Sequence, residues 1–308
     1  MKRFVKTTFT FTILLFGIVT IAFLVPPTPR AATSLLFSKQ FKDSLLIHES
    51  SPRMILVGGS NVSFGYNSQL IKDSLGYNPI NTSIHASLGL VYMMNDVIDH
   101  VKADDIVILS SEYNQFFGHF AYGGEELLRT VIDVDKSSLS QLSFRQLMNI
   151  TPHLLKFTFS KLKLTEYFSV KQNKIYGKGS FNSYGDAIGH WGKSTRHYSP
   201  YETITVSFNP DIISEIQEFN KRIRSVGATL LIVPPAVQQK TYDNLQENIG
   251  LLYSKLSETD IPYLSNHAEY AFTDSLTFNT PYHLTAEGTT LRTLKFIADY
   301  SDYVGESK

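Results

Sequence analysis

The chain of 308 residues contains no cysteine, which excludes disulfide frameworks, thiolate nucleophiles and zinc sites built on cysteine. Basic and acidic residues number 28 each, so the formal net charge is zero and no basic surface for nucleic acid is expected. The nine histidines include no His-x-x-x-His pair, and the glycine-rich nucleotide-binding motifs are also missing. No metal and no cofactor is therefore expected, and covalent catalysis would have to use Ser, Thr, Asp, Glu, Lys, His or Tyr.

Charge is also missing from residues 7–25, the longest apolar run of the chain. Nineteen helical residues at about 1.5 Å each nearly span a hydrocarbon layer of about 30 Å. Lys2, Arg3 and Lys6 precede the run, and the positive-inside preference then leaves the N-terminus in the cytoplasm and exports the rest. We expect residues 1–30 to hold a signal anchor, with an extracytoplasmic domain behind it.

Two other interpretations of the apolar run stay open. Ala31 and Ala32 follow a proline-rich stretch and resemble a cleavage region, so a cleaved signal peptide and a secreted protein are the first alternative. A buried core helix is the second, and it is disfavoured because the run is uniformly apolar.

From residue 54 onward, short apolar runs alternate with amphipathic stretches, which is typical of a parallel sheet covered by helices on both faces. The predicted strands are 54–58, 79–84, 105–109, 229–233 and, more weakly, 262–264. We therefore predict a flavodoxin-like, three-layer α/β/α domain over residues 54–303, after a linker at 31–53.

Helical periodicity places amphipathic helices between these strands. The clearest begins at Asn209-Pro210-Asp211, which supplies a cap residue, a proline and an acid in the first turn, and it ends at Gly227. Further amphipathic stretches cover 91–101, 245–256 and 286–300. Residues 113–208 break the alternation and are interpreted as an insertion, with a helix around 143–164.

Ligands of parallel sheets bind at the carboxyl ends of the strands, which directs attention to the residues that follow each strand. Gly58-Gly59-Ser60-Asn61 follows the first strand and predicts a tight turn that presents the Ser60 hydroxyl at a helix start. This stretch resembles the first block of the SGNH (GDSL-like) hydrolase family. A plain turn or a phosphate-binding helix N-terminus are the competing interpretations.

Near the C-terminus, Asn279-Thr280-Pro281-Tyr282-His283 precedes a helix with Thr285 as its cap. This resembles the last block of the same family, in which the catalytic histidine comes just before the final helix. The resemblance implies that Ser60 is a nucleophile and that His283 is the base that takes its proton.

The chain departs from the family pattern at the residue that should orient the histidine. The family has an aspartate three residues before the histidine, and here that residue is Thr280. Asn279 and Asp274 are the candidate replacements, and a Ser-His dyad without a third member is the remaining alternative.

The oxyanion hole is also altered relative to the family. The second block would supply the amide of Gly89 or the backbone near Ala86, and the sequence does not decide between them. The third block normally ends in asparagine, but Glu112 stands there, so either Asn114 substitutes for it or Glu112 has another role.

The remaining site predictions concern the substrate. In the insertion, Asp186, His190 and Trp191 are candidates for a sugar-binding lip, because tryptophan offers an apolar face to a pyranose ring. Asn61 and Glu112 are expected to contact substrate beside Ser60.

Together with the anchor, the resemblance points to the exported branch of the family that includes polysaccharide and teichoic-acid O-acylation proteins. It implies a serine-dependent O-acyl esterase or acyltransferase acting on cell-envelope or exported polysaccharide, with room for a membrane-bound partner that supplies the acyl donor. The alternative is a non-catalytic, anchored glycan-binding or assembly protein, which the departures at positions 280 and 112 favour.

Overall fold

The computed structural model describes residues 1–168 and 170–306. Its strands are β1 Arg53–Gly58, β2 Asn78–Asn81, β3 Ile106–Ser110, β4 Thr229–Ile232, β5 Val237–Gln238 and β6 Ala271–Phe272. Its α-helices are α1 Lys2–Leu24, α2 Lys39–His48, α3 Ser60–Ser63, α4 Ser68–Leu75, α5 Leu90–Ile98, α6 Glu125–Arg129, α7 Phe144–Ile150, α8 Leu154–Lys161, α9 Pro210–Ser225, α10 Gln239–Asn244, α11 Gln246–Leu256 and α12 Ala286–Glu306.

The central sheet is parallel and has the strand order β2-β1-β3-β4. Beyond β4, Tyr263 forms a parallel bridge with Ile232, so the weakly predicted fifth strand is a single bridge at the sheet edge. β5 and β6 pair separately as a small parallel ribbon.

Both faces of the sheet are buried, which explains why its strands are continuously apolar. On one face, Ile55 and Val107 pack in a large core with residues of α5, α9 and α11. On the other face, Leu56 and Ile108 pack with residues of α4 and α12. The chain is therefore an α/β protein with a parallel sheet between two helical layers.

The first, third and fourth predicted strands agree with β1, β3 and β4 to within one residue at each end. β2 ends at Asn81 instead of Ile84, because the buried Asn81 side chain bonds to Val62 and Asp186 and the chain turns there. Asn209 caps α9 as predicted, since its side chain accepts from the Asp211 amide.

The helix predicted at 143–164 is two helices. α7 has a capping box between Ser143 and Gln146, and the 3₁₀ turn Thr151–His153 with Pro152 separates α7 from α8. Proline lacks the amide that a continuous helix needs, which accounts for the break.

The prediction of a linker at 31–53 is wrong. α2 lies within it, and Lys42 and Leu46 of this helix are buried against the domain. Because lysines make up part of its buried face, the helix lacks the periodic apolar residues from which a helix is predicted.

The N-terminal helix α1 is the one helix in the described residues that is long and apolar enough to cross a membrane. Almost all of its side chains are exposed, and only Ala22 near its end is buried. This exposure contradicts the core-helix alternative, because a core helix would be packed on its apolar sides.

Candidate active site at the carboxyl end of the sheet

Ser60 begins the one-turn helix α3 directly after β1, at the carboxyl end of the sheet. Its side chain is half-buried, and its hydroxyl donates to Oε1 of Glu112 over 3.3 Å. Within the described residues, the Ser60 amide forms no hydrogen bond, so it points from a helix start with its donor free. The turn therefore offers a hydroxyl and an amide together.

Glu112 follows β3 and is almost fully buried beneath this turn. Oε1 also accepts from the Asn61 amide over 3.1 Å, whereas Oε2 is buried without a partner in the described residues. Burial raises the pKa of Glu112, and the bonds from the Asn61 amide and Ser60 offset part of that shift. The site thus contains a carboxyl group that takes up a proton more readily than an exposed glutamate.

Gly59 is required by the position of this carboxyl group. A Cβ built on Gly59 would lie 2.3 Å and 2.7 Å from the two oxygens of Glu112 and 2.9 Å from Cα of Ala86. The glycine lets the second-strand loop and Glu112 approach the turn from two sides.

His283 lies over the same turn. Its ring stacks on Phe64, four residues after Ser60, with centroids 4.2 Å apart and planes inclined by 10°. Nδ1 of His283 lies 3.0 Å from Oδ1 of Asn279, and the side-chain amide of Asn279 donates to the Tyr176 hydroxyl in this carboxamide orientation. Nδ1 therefore carries the proton, and Nε2 is left with its lone pair as the basic atom.

The electrostatic surroundings keep His283 neutral. Burial, with smaller contributions from His190 and His85, lowers its pKa to about 3. Asn279 supplies an acceptor without a negative charge, so nothing on that side favours the imidazolium.

Asp274, the other candidate partner of His283, does not contact it. Asp274 is exposed and accepts from Gln238, because the 3₁₀ turn Asp274–Leu276 directs it away from the histidine. Thr280 accepts from the backbone amide of His283 and shapes the loop instead of orienting the ring.

The predicted oxyanion donors differ in whether they already have a hydrogen-bond partner. The Gly89 amide donates to the Ala86 carbonyl, and Gly89 has φ of +82° and packs against the backbone of Gly123, so this amide is occupied. Ala86 itself lies against Gly59 and Glu112, and its amide is free within the described residues. The carboxamide oxygen of Asn114 is buried without a partner there, and its side chain bonds to neither Ser60 nor Asn61.

Two predicted substrate contacts, Asp186 and Asn61, have structural roles. Asp186 is fully buried and accepts from Ser68, Asn81 and Asn182, which joins the insertion to α4 and β2. Asn61 is fully buried, and its side-chain amide donates to the carbonyl of Ser110. These two side chains have no surface left for a sugar.

His190 and Trp191 do not form an open lip either. His190 is buried between Phe64 and Phe278, with Nε2 on the Leu284 carbonyl at 2.8 Å, and burial lowers its pKa to about 4. Trp191 is half-buried, and its indole nitrogen has no partner among the described residues.

Arg292 is a site residue that the sequence analysis missed. It lies fully buried on α12, donates to the Asn61 carbonyl over 2.6 Å and to Ser110 Oγ over 2.8 Å, and sits 4.1 Å from the centroid of Tyr66. It lies four residues before the core residue Phe296, so a charged residue on the apolar face of the last helix was the available signal.

Tyr176, which fixes Asn279, was also missed, and no pattern in the insertion pointed to it. Two clefts, of about 710 Å³ and 340 Å³, lie elsewhere and include neither Ser60 nor His283 in their walls. Over residues 1–168 and 170–306, no group of three acidic or histidine side chains is arranged to hold a metal ion.

No family model matches this chain, and no curated protein is significantly similar to it. The resemblance to SGNH hydrolases therefore rests on the residues around Ser60 and His283 alone.

Proposed function

We propose that the protein is a membrane-anchored, serine-dependent O-acyl esterase or acyltransferase that acts on exported or cell-envelope glycans. The observation that carries the proposal is the stacking of His283 on Phe64, within the turn that Ser60 begins, with Nδ1 of His283 held by Asn279. A serine hydroxyl becomes a useful nucleophile only beside a base. His283 is an oriented base over the same turn, and the Ser60 hydroxyl must turn from Glu112, to which it donates in this structure, to reach it.

In the proposed reaction, Ser60 Oγ attacks the ester carbonyl carbon and its proton passes to Nε2 of His283. The tetrahedral intermediate collapses, the alcohol leaves with that proton, and the acyl group stays on Ser60 as an ester. Water or a sugar hydroxyl then attacks the acyl group and gives its proton to His283, which returns it to Ser60. Water gives hydrolysis, and a sugar hydroxyl gives transfer.

The free amides of Ser60 and Ala86 are the proposed oxyanion donors. The carboxyl group of Glu112 lies in the same region and accepts from the Asn61 amide. An ionised Glu112 would repel the developing oxyanion, whereas a protonated Glu112 would not. Burial raises the pKa of Glu112, which extends the pH range in which the protonated form is present.

A second candidate function is a non-catalytic glycan-binding or assembly protein that keeps the fold. The observation that favours it is the position of Glu112. A carboxyl oxygen of Glu112 accepts the hydrogen bond of the Asn61 backbone amide, directly beside the serine. The two functions differ in whether Ser60 reacts.

The test uses the full chain in detergent micelles with p-nitrophenyl acetate. We expect Ser60→Ala and His283→Ala each to lower the rate by at least ~10³-fold, because the members of such a pair act as a unit. Ser63→Ala is the matched control: Ser63 lies in the same helix, and its buried hydroxyl has no partner in the described residues, so its rate should not change. Equal rates in wild type and Ser60→Ala would refute the proposal.

A further inference from the structure

The helix α8 and the residues after it carry an unusual apolar surface. Leu155, Phe159 and Leu162 recur at a helical spacing and are all exposed, with Leu162 63% exposed. Leu164 and Phe168 follow α8 along the chain and are 73% and 67% exposed. Large apolar side chains that are exposed together on one helix face mark a contact surface.

The opposite side of α8 packs against the end of the apolar helix α1. Phe157 is fully buried and meets Phe23 edge-on, with ring centroids 6.3 Å apart. The buried amine of Lys161 donates to the carbonyl of Val25 over 2.8 Å and pairs with Asp133 at 2.7 Å. The apolar surface of α8 therefore adjoins the point where α1 ends.

The charge of this region is strongly biased. Residues 154–178 contain six lysines and one glutamate, although the whole chain is balanced at 28 of each sign. The glutamate, Glu166, is paired with Arg30. Four of the lysines, spread over the surface that follows α8, are exposed: Lys163, Lys171, Lys174 and Lys178.

We propose that residues 154–168 form a second membrane contact, lying in the headgroup boundary of the same bilayer that α1 crosses. Leu155, Phe159 and Leu162 would enter the boundary, and the lysines would bind anionic lipid phosphates. An exposed apolar helix face with basic neighbours is the composition of interfacial helices. A second copy or another protein fits less well, because α8 packs on the end of α1 and the exposed lysines that follow α8 form no ion pair in the described residues.

This contact would hold the insertion against the bilayer and set the orientation of the whole domain. The inference rests on membrane anchorage by α1, which is part of the proposed function, and not on the chemistry of Ser60. The test therefore measures the membrane contact of α1 and that of α8 separately.

The chain has no cysteine, so single-cysteine variants of the full protein can be labelled at one position each. Leu155→Cys, Phe159→Cys and Leu162→Cys carry an environment-sensitive nitrobenzoxadiazole label in vesicles containing phosphatidylglycerol. Ile13→Cys, within α1, reports membrane insertion of the anchor. Val226→Cys is the matched exposed control, because it precedes β4 at the amino end of the sheet, opposite the start of the insertion.

We expect lipids with a doxyl group high on the acyl chain to quench the labels on α8. Lipids with a doxyl group near the chain end should quench Ile13→Cys, and neither lipid should affect Val226→Cys. Replacing phosphatidylglycerol by phosphatidylcholine should weaken the quenching at α8 and leave Ile13→Cys unchanged.

Three results would overturn the inference. If Ile13→Cys is quenched and the α8 labels stay accessible to aqueous iodide, the anchor stands and the second contact does not. Labels on α8 that are shielded from iodide but not quenched by lipid would show a protein occupant instead. If no label is quenched, both the anchorage and the second contact fail.

Discussion

At the scale of single residues, the proposed reaction depends on Glu112. Its carboxyl group is buried beside the Ser60 hydroxyl and the backbone amide of Asn61, and burial outweighs these hydrogen bonds in setting its pKa. In the proposed reaction, the charge of Glu112 determines whether an oxyanion can form next to Ser60.

Glu112→Gln should raise the esterase rate. Glutamine keeps the shape of the side chain, removes the negative charge and adds a donor, so we expect a roughly tenfold to hundredfold gain in kcat/KM. The measurement is p-nitrophenyl acetate hydrolysis by the full chain. A loss of activity would show instead that Glu112 is the proton acceptor for Ser60.

The pH profile gives the same prediction a second check. The wild-type rate should rise as the pH falls through the raised pKa of Glu112, because protonation removes the repelling charge. It should fall only near pH 3, where His283 is protonated. Glu112→Gln should lack the rise, and an unchanged profile would contradict this role of Glu112.

His190 should make stability depend on pH. Its folded pKa of about 4 lies below the ordinary value of 6.5, so the unfolded chain binds the proton first as the pH falls. The free energy of unfolding should therefore decrease between about pH 6.5 and pH 4, with His190 contributing up to about 1.4 kcal/mol per pH unit.

His190→Gln keeps a donor for the Leu284 carbonyl and removes the titration. The slope of unfolding free energy against pH should become shallower in this variant, whatever its absolute stability. The single tryptophan, Trp191, is adjacent and reports unfolding by fluorescence. Identical slopes in the two proteins would contradict the assignment.

At the scale of elements, the positions of Ser60 and His283 could be predicted because each lies next to a clear boundary. After Arg53, β1 is an apolar run that leads into two glycines before Ser60, and α12 begins after a threonine cap that follows His283. Gly89 could not be assigned from its sequence position, because its role depends on the backbone of Gly123 packing against it. The helix α2 was missed because its buried lysines find carbonyl and carboxylate partners far along the chain.

A buried ion pair joins β1 to the segment just before β3. Arg53 at the start of β1 pairs with Asp105 just before β3, and both side chains are fully buried. Arg53 also donates to the carbonyls of Leu46 and His100, so it connects α2, β1 and the end of α5.

Asp105→Ala should destabilise the protein by about 3–5 kcal/mol, because it leaves the Arg53 charge buried without its partner. The measurement is urea denaturation of the full chain in micelles. Asp99→Ala removes an exposed pair with Arg222 and should cost under about 1 kcal/mol. Equal effects of the two substitutions would contradict the structural role of the buried pair.

At the scale of the whole molecule, residues 113–208, interpreted as an insertion, contact the histidine loop in a way that was not predicted from the sequence. Tyr176 and His190 reach the histidine loop from the insertion, and Asp186 bonds to residues more than 100 positions away. No local pattern encodes such contacts, because they arise only when the insertion folds back over the sheet. Asp186 and His190, two of the three residues predicted to form a sugar-binding lip, are buried by these contacts.

Membrane anchorage by α1 is a prediction for the whole molecule. We expect the full chain to stay in the membrane pellet after alkaline carbonate extraction and to retain residues 1–30 by intact mass. Release into the supernatant, with loss of these residues, would identify the apolar run as a cleaved signal peptide instead.

The central claim is that Ser60 is an activated nucleophile, and covalent labelling tests it most directly. The full chain is treated with a fluorophosphonate, and the modified residue is located by mass spectrometry of its peptides. We predict labelling at Ser60 in the wild type and in Ser63→Ala, and none in Ser60→Ala. Folded wild-type protein that stays unlabelled, or a label that persists in Ser60→Ala, would contradict the account.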